Sequence, residues 1–160
     1  MKEQKTNAMR ILEQKKIPYE ASEYPHGDGP VDGVTVAALT GKEPDTVFKT
    51  LVAVGASRQH YVFVIPVAKT LDLKKAAAAV EEKSVAMVHV SEITPLTGYV
   101  RGGCSPVGMK KLFPTVFDAS AEQVETIQVS GGRIGTQIAL APEALISLVR
   151  GKTADITVKE

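Results

Sequence analysis

The chain has 160 residues, 44% hydrophobic and 23% charged, which is the composition of an average soluble protein with enough aliphatic side chains for one packed domain. A formal net charge of +1 argues against binding nucleic acid through a general positive field, and leaves only local basic patches such as Arg101 with Lys110 and Lys111. One cysteine excludes an internal disulfide, and neither a signal peptide nor a membrane-length apolar run is evident, so we expect a cytoplasmic protein.

In the N-terminal half the hydrophobic pattern predicts short helices separated by strands. Apolar residues at helical spacing indicate a helix over residues 6–16, with Lys15 and Lys16 in its last turn, where cations favour the helix dipole. Two apolar runs joined by a short glycine-containing loop are typical of a β-hairpin. The predicted elements to residue 90 are this helix, a strand 19–24, a loop 25–33, a helix 34–39 ended by Gly41, the hairpin strands 47–54 and 60–67, a helix 71–82 capped by Thr70 or Asp72, and a strand 85–90.

The C-terminal half predicts further strands around a glycine-rich loop at residues 102–108. The helix before this loop has Ser91 as its expected cap and Pro95 in its first turn, and Pro142 opens a later helix, where proline is tolerated. Because strands and helices alternate without a strict βαβ rhythm, we expect an α/β (α+β) fold with a mixed sheet or partial barrel. The predicted elements after residue 90 are a helix 91–97, a strand 115–117, a helical stretch 119–124, strands 126–130 and 136–141, a helix 142–150 and a last strand 154–158.

Motifs for nucleotide and metal binding do not fit this sequence. Residues 130–137, SGGRIGTQ, follow a predicted strand but precede another strand, so no helix N-terminus would face a pyrophosphate. His26, His60 and His89 lack the HxH or HxxxH spacing of metal ligands, and there is no second cysteine. We therefore expect no metal and no cofactor.

Lys49 is the clearest anomaly in the pattern. It lies inside the apolar run VFKTLVAV, on the same strand face as Val47 and Leu51. A run that is apolar on both faces indicates a central strand, where a lysine is costly unless its ammonium escapes or finds a partner. Two interpretations are open: the side chain extends past the strand end into water, or the cation faces a cleft, ready for a phosphate or a carbonyl oxygen.

Two glycine-rich segments, RGGCSPVG (101–108) and SGGRIG (130–135), point to a second feature. Such segments let the backbone approach a ligand closely and present N–H groups to a phosphate or an oxyanion. The lone Cys104 is either a small buried residue or a nucleophile that works with one of the histidines. Together with Lys49, the two segments indicate a binding or catalytic site.

Four segments carry a resemblance to a known family: FKTLV (48–52), LDLKKAA (71–77), TGYVRGGCSPVGMKK (97–111) and TIQVSGGRIG (126–135). In register over nearly its whole length, the chain resembles the YbaK/EbsC family of aminoacyl-tRNA deacylases, free-standing relatives of the editing domain inserted in bacterial prolyl-tRNA synthetases. The resemblance implies a single editing domain over residues 1–160, with a mixed, barrel-like sheet surrounded by helices. It also implies hydrolysis of mischarged Cys-tRNA(Pro) in trans, without metal or cofactor.

The resemblance also implies roles for individual residues. Lys49 matches the family's essential lysine, placed near the 3′-terminal adenosine and its phosphate, while Gly102 and Gly103 match the catalytic loop whose backbone contacts the aminoacyl carbonyl. Asp32 and Gln137 depart from the family pattern, which has an aromatic residue at the first position and often an acid at the second. The substrate-binding residues that the resemblance implies are Tyr24, Ser105, Pro106, Gly108, Gly131, Arg133, Gly135 and Gln137.

The chemistry implied by the family needs no catalytic triad. The substrate's own thiol displaces the tRNA hydroxyl while backbone N–H groups stabilise the oxyanion. Cys104 occupies a position that is commonly aliphatic in the family, so we expect it to be a packing residue. Three alternatives stay open: deacylation of Ala-tRNA(Pro), a cysteine hydrolase that uses Cys104, and a non-catalytic module that binds aminoacyl-tRNA. The expected partner is aminoacyl-tRNA of the tRNA(Pro) type, with stable binding to prolyl-tRNA synthetase left open.

Overall fold

Five short α-helices and eight β-strands make up the part of the chain that the computed structural model describes, which is residues 5–159 without Asp28 and Pro30. Those two positions of the predicted loop 25–33 therefore lie outside the described residues. In chain order the elements are α1 (Asn7–Gln14), β1 (Glu20–Glu23), α2 (Gly33–Thr40), β2 (Phe48–Gly55), β3 (His60–Pro66), α3 (Leu73–Ala79), β4 (Val85–Met87), α4 (Val90–Thr97), β5 (Thr115–Asp118), β6 (Ile127–Arg133), β7 (Thr136–Leu140), α5 (Pro142–Leu148) and β8 (Lys152–Ala154), with single 3-10 turns at Pro44–Thr46 and Ala119–Gln123.

The strands form two sheets of mixed direction. One has the order β1-β7-β6 and is antiparallel, and the other has the order β4-β2-β3-β5-β8. In the second sheet β2 pairs antiparallel with β4 and β3, whereas β3, β5 and β8 run parallel. A parallel bridge between Val47 and Gln128 joins β2 to β6, so the two sheets meet in an open, barrel-like arrangement. The predicted mixed α/β fold is confirmed.

The direction of the backbone groups along β2 follows from its hydrogen bonds. The Val62 N–H donates to the Pro114 carbonyl, 2.9 Å away on the β5 side, so the pair Val52–Val62 does not bond across β2 and β3. The Val52 carbonyl points the other way and accepts from the Val88 N–H at 3.1 Å. Because the pattern alternates along an antiparallel strand, the N–H and C=O of Thr50 also point away from β3.

The edge of β2 that faces away from β3 is paired at both ends and unpaired in the middle. β4 pairs with residues Ala53–Gly55, and β6 reaches the strand only at Val47. Between the two neighbours, Thr50 forms no β-bridge with any described residue on this side of the strand. The gap at Thr50 becomes the floor of the cleft described below.

Three apolar clusters hold the sheets and helices together, and the smallest of them packs Ala37 of α2 against Val47 and Val67. The largest one packs Leu12 of α1 and Leu145 of α5 against Ile127 and Ile138 of the three-stranded sheet. The second packs α3 against the five-stranded sheet around Phe63. None of the helices in residues 5–159, leaving aside the two undescribed loop positions, is long and apolar enough to cross a membrane.

Several local signals act as predicted. Gly41 ends α2 in the left-handed conformation, with φ of 70°, and Asp72 rather than Thr70 caps α3 by accepting from the Lys74 and Lys75 N–H groups. Both signals involve residues within one turn of each other, which is why the sequence alone reveals them.

Other predicted boundaries are wrong. Lys15 and Lys16 follow α1 instead of forming its last turn. His89, not Ser91, caps α4 because its Nδ1 accepts from the Ser91 N–H, which moves Pro95 into the helix interior. The last strand is β8, and of the predicted strand 154–158 only Ala154 belongs to it.

Candidate functional site

A cleft of about 360 Å³ opens where the two sheets diverge. Val47 and residues 48–52 of β2 form its floor, and α2 and α4 contribute apolar side chains such as Val36 and Ile93. The glycine-rich loop contributes Gly102 and Cys104 to the opposite wall. The cleft therefore brings together the lysine and one of the two glycine-rich segments that the sequence singled out.

Four of the predicted site residues line this cleft, namely Tyr24, Lys49, Gly102 and Gln137. The other seven do not line it. Their contacts give each of them a place in the scaffold around the cleft, as follows.

Gly103 lies at the contact between the glycine-rich loop and the β6–β7 turn. Its N–H donates to the Val100 carbonyl at 2.9 Å, so this amide is already used within the loop. A Cβ at position 103 would approach the Arg133 Cα to 2.8 Å and the Ile134 nitrogen to 2.9 Å. Gly103 is thus required for close packing of two backbone segments, and its contact with the aminoacyl carbonyl stays a prediction.

Ser105, Pro106 and Gly108 shape the glycine-rich loop. The Ser105 side chain is fully buried and accepts from the Val107 N–H at 3.2 Å, and Pro106 is buried beside it. The Gly108 carbonyl accepts from the Asn7 side-chain amide of α1 at 2.9 Å. These contacts turn the loop and fix it to the first helix, and the substrate contacts of the three residues stay predictions.

Gly131 and Arg133 belong to β6, behind the cleft. The Thr6 hydroxyl, which also caps α1, donates to the Gly131 carbonyl. The Arg133 Nε donates to the Thr136 hydroxyl at 2.9 Å, and its guanidinium lies 3.8 Å from the Glu23 carboxylate. Arg133 is therefore directed along the three-stranded sheet and not into the cleft.

Tyr24 lines the cleft at the end of β1. Its N–H donates to the Gly135 carbonyl at 2.9 Å, which ties the β6–β7 turn to β1. Gly135 adopts a φ of 94° and sits against the His26 ring. Gly135 consequently positions Tyr24 without lining the cleft itself.

Lys49 is half-buried, lines the cleft, and forms no ion pair or hydrogen bond with any described side chain. Burial lowers the pKa of its ammonium group below the usual value of 10.5. A cation held away from water without a counter-ion favours an anionic ligand, because the ligand would supply the missing partner. Of the two open interpretations, the position in the cleft favours the second.

Two side-chain atoms in the described chain are buried with no hydrogen-bond partner, and both belong to residues that line this cleft. They are the Thr50 Oγ1 and the Gln137 Nε2. Gln137 is only 4% exposed, and an unpaired buried polar atom costs about 1–3 kcal/mol. Such atoms are expected where a ligand completes the hydrogen bonds.

The Cys104 thiol is a poor nucleophile in this setting. Burial raises its pKa to about 11, so it is uncharged near neutral pH. No histidine lines the cleft among the described residues, so no imidazole is present to accept the proton. The Gly102 and Cys104 N–H groups, in contrast, donate to no acceptor within the described part of the chain, which leaves both for a ligand.

The charged side chains that line the cleft are all basic. They are Lys49 and Arg101, and the described lining contains no carboxylate and no imidazole. Within residues 5–27, 29 and 31–159, no group of three or more potential metal-binding side chains lies together. The cleft can hold an anion and stabilise an oxyanion, but the described side chains offer no general base.

Thr50 and Ser130 are cleft residues that the sequence did not reveal. The sequence pattern drew attention to Lys49 and not to the neighbouring Thr50, although a polar residue inside an apolar strand could have indicated a site. Asp32, which departs from the family pattern, caps α2 through the Thr35 N–H and hydroxyl and does not line the cleft. Gln137 is thus the departure that reaches the site.

Comparison with known proteins places this geometry in a family. A family model described as an aminoacyl-tRNA editing domain matches residues 31–148. The chain is 49% identical, over 99% of its length and 96% of the relative's, to EbsC of Enterococcus faecalis (strain ATCC 700802 / V583), which is named as a Cys-tRNA(Pro)/Cys-tRNA(Cys) deacylase.

Solved structures agree on the fold. A crystal structure described as that of a trans-editing enzyme for prolyl tRNA synthetase has a TM-score of 0.84 at 25% identity, covering 98% of this chain and 100% of that one. The hypothetical protein APE2540 has a TM-score of 0.85 at 22% identity, covering 95% and 99% of the two chains.

The contact at Gly103 predicts a loss of stability on substitution. Gly103→Ala places a Cβ against backbone that cannot rotate away, so we expect the free energy of unfolding to fall by about 1–3 kcal/mol in a denaturant titration. Gly27→Ala is the matched control, because a Cβ there meets nothing within 4 Å. Equal midpoints for the two variants would contradict the close packing of the loop against the β6–β7 turn.

The unpaired ammonium of Lys49 predicts a pH-dependent cost to the fold. Since folding lowers its pKa, the cost is fully present below the folded pKa and disappears as pH rises through it toward 10.5. Lys49→Met should therefore raise the free energy of unfolding by about 0.5–2 kcal/mol at pH 7 and by less at pH 10. Exposed Lys83→Met provides the control, and a gain for Lys49→Met that does not shrink with pH would refute this assignment.

Proposed function

The chain belongs to the family of aminoacyl-tRNA editing domains, and on that premise we propose that it is an aminoacyl-tRNA hydrolase that removes cysteine from mischarged tRNA(Pro) in trans. The proposal takes residues 1–160 as one editing domain that works in the cytoplasm. The substrate is supported by the name of EbsC, which shares 49% of its residues with this chain, and the trans mode by the structural neighbour described as a trans-editing enzyme.

One observation carries the mechanism: the described cleft presents a cation and free N–H donors but no group that would activate water. Ester hydrolysis needs a nucleophile, and the Cys104 thiol, with its pKa raised to about 11 by burial, is not a useful one. A cysteinyl ester brings its own thiol. With a pKa of about 8.5, roughly 3% of such thiols are ionised at pH 7.

The substrate thiolate attacks the carbonyl carbon of its own ester. The carbon–sulfur bond forms, the carbon–oxygen bond to the terminal ribose breaks, and the tRNA oxygen takes up the proton that the thiol lost. The product is a cyclic thioester, which water opens to free cysteine. Holding the two groups together lowers the barrier by about 7–11 kcal/mol, part of which the strain of a four-membered ring offsets.

The protein's contribution is positioning and electrostatic stabilisation. Lys49 binds the phosphate of the terminal nucleotide, which replaces the counter-ion that the free cleft lacks. The Gly102 and Cys104 N–H groups donate to the developing oxyanion, where one such donor is worth about 3–4 kcal/mol. Gly103, Ser105 and their neighbours hold those amides in place, instead of donating themselves.

This mechanism distinguishes aminoacyl groups by the reactivity of their side chains. Alanine lacks an internal nucleophile, so Ala-tRNA(Pro) is disfavoured as a substrate. Cys-tRNA(Cys), the second substrate in the name of EbsC, carries the same thiol ester and is expected to react as well. Prolyl-tRNA synthetase is then the enzyme whose errors are corrected, whether or not it binds the deacylase stably.

A substrate series tests the role of the thiol. Cys-, Ser-, Ala- and Pro-tRNA(Pro) are compared for release of the amino acid, with serine as the matched oxygen analogue of cysteine. We expect Cys-tRNA(Pro) to be deacylated on the order of 100-fold faster than the others, because only its side chain forms a competent nucleophile. Equal rates for cysteine and alanine would rule out assistance by the substrate.

Two variants separate the protein groups. Lys49→Ala should lower kcat/KM for Cys-tRNA(Pro) about 100-fold or more, since the cation that holds the terminal phosphate is lost, while circular dichroism shows an intact fold. Cys104→Ala is the matched cleft variant and should keep activity within about threefold, a change no larger than that of a modest packing defect. Loss of activity in a folded Cys104→Ala protein would make the protein thiol the nucleophile. Protection of Cys-tRNA(Pro) from hydrolysis by the wild type would indicate a non-catalytic binding module.

A further inference from the structure

The middle of β2 presents an unoccupied strand edge to the cleft. The Thr50 N–H and C=O point away from β3, and Thr50 forms a β-bridge with neither β4 nor β6. An open donor and acceptor on one residue can accept one residue of an added strand, as in strand-addition complexes.

The side chains around this edge give an independent indication of a ligand. The Thr50 Oγ1 and the Gln137 Nε2 are buried without partners. Gln137 is only 4% exposed, and it lines the same cleft as Thr50. Two unpaired side-chain atoms therefore belong to residues of the same cleft that the unbridged edge of β2 faces.

An aminoacyl ester has the main-chain atoms of one strand residue, an amine, a Cα and a carbonyl. We propose that the open edge at Thr50 binds the aminoacyl group as an antiparallel β-bridge, with the Thr50 C=O accepting from the α-amine and the Thr50 N–H donating to the ester carbonyl. This inference rests on the proposed deacylase function and names the subsite that the aminoacyl group occupies. The carbonyl oxygen has a second lone pair for a glycine-loop amide.

Lys49 fixes the direction of the bound group. In an antiparallel bridge the ester oxygen continues toward the start of β2, so the ribose and its phosphate lie beside Lys49. In a parallel arrangement they would lie toward Val52, where the Val88 N–H already closes the edge. Only the antiparallel direction joins the open edge to the unpaired cation.

The same geometry places the substrate side chain. Residues directly opposite each other in an antiparallel pair project to the same face of the sheet, so the cysteine side chain lies beside the Thr50 hydroxyl. The α-amine meets a carbonyl and no described carboxylate. Recognition of the amine is thus by main-chain hydrogen bonding, and it acts on any L-aminoacyl group, leaving the choice of cysteine to the thiol chemistry.

Amide hydrogen exchange tests the bridge directly. The probe is 3′-amino-3′-deoxyadenosine acylated with L-cysteine through an amide, which the enzyme cannot cleave as an ester. At saturation the Thr50 N–H should exchange at least about tenfold more slowly than in the free protein, because it becomes hydrogen-bonded. The amide of Thr153, on β8 and remote from the cleft, is the internal control and should not change.

A substrate without the amine provides the second arm. 3-Mercaptopropanoyl-tRNA(Pro) keeps the thiol and the ester but lacks the donor to the Thr50 carbonyl. After correction for the uncatalysed rate of each ester, its kcat/KM should be about tenfold below that of Cys-tRNA(Pro). Protection of Thr50 together with this loss supports the bridge.

The outcomes separate this subsite from the deacylase function. If the probe binds and Cys-tRNA(Pro) is deacylated, but Thr50 exchanges as before and the amine-free ester reacts equally well, the bridge is overturned and the deacylase stands. If no Cys-tRNA is deacylated and the probe does not bind, the proposed function fails and the subsite fails with it.

Discussion

The cleft exists because β2 is shared by neighbours that do not cover its whole length. β3 pairs with it from Phe48 to Val54, but on the other side β4 covers only its end and β6 only its start. The three-stranded and five-stranded sheets are therefore not continuous at Thr50, which forms no β-bridge on that side of β2. Lys49 stands on this same stretch, which explains how a lysine is tolerated in a largely apolar strand: its ammonium group faces a cleft and not a packed core.

The glycine-rich segments act mainly by letting backbone meet backbone. A Cβ at position 103 would lie only 2.8 Å from the Arg133 Cα, so glycine lets the loop pack directly on that backbone. Asn7 of α1 fixes the far end of the loop at Gly108. The Tyr99 hydroxyl donates to the Val107 carbonyl inside the same loop. The cleft wall is thus held by residues that do not themselves touch the cleft. Rigid support of this kind is what oxyanion stabilisation by main-chain amides requires, since the donors must not reorganise during the reaction.

The electrostatic character of the cleft restricts the reactions it can support. A cation without a described counter-ion and several free donors suit a ligand that is anionic at one end and carries a carbonyl at the other. The described lining lacks a base, and burial keeps the one thiol protonated. Under the proposed mechanism, such a cleft selects substrates that provide their own nucleophile, and selectivity then arises from the reaction without a pocket that measures the side chain.

The sequence by itself determined the elements whose signals are local, and it identified Lys49 because a charge inside an apolar strand is anomalous at short range. It also determined that the family resemblance runs through both glycine-rich segments. Only the tertiary structure decided how the main-chain groups are used: the Gly103 N–H donates to the Val100 carbonyl, while Thr50 lies between the strand residues that β4 and β6 bridge. The same holds for Arg133, which turns toward Glu23 and away from the cleft. Strand register and loop packing join residues far apart in the chain, and hydrogen-bond occupancy depends on those distant partners, so no local pattern records it.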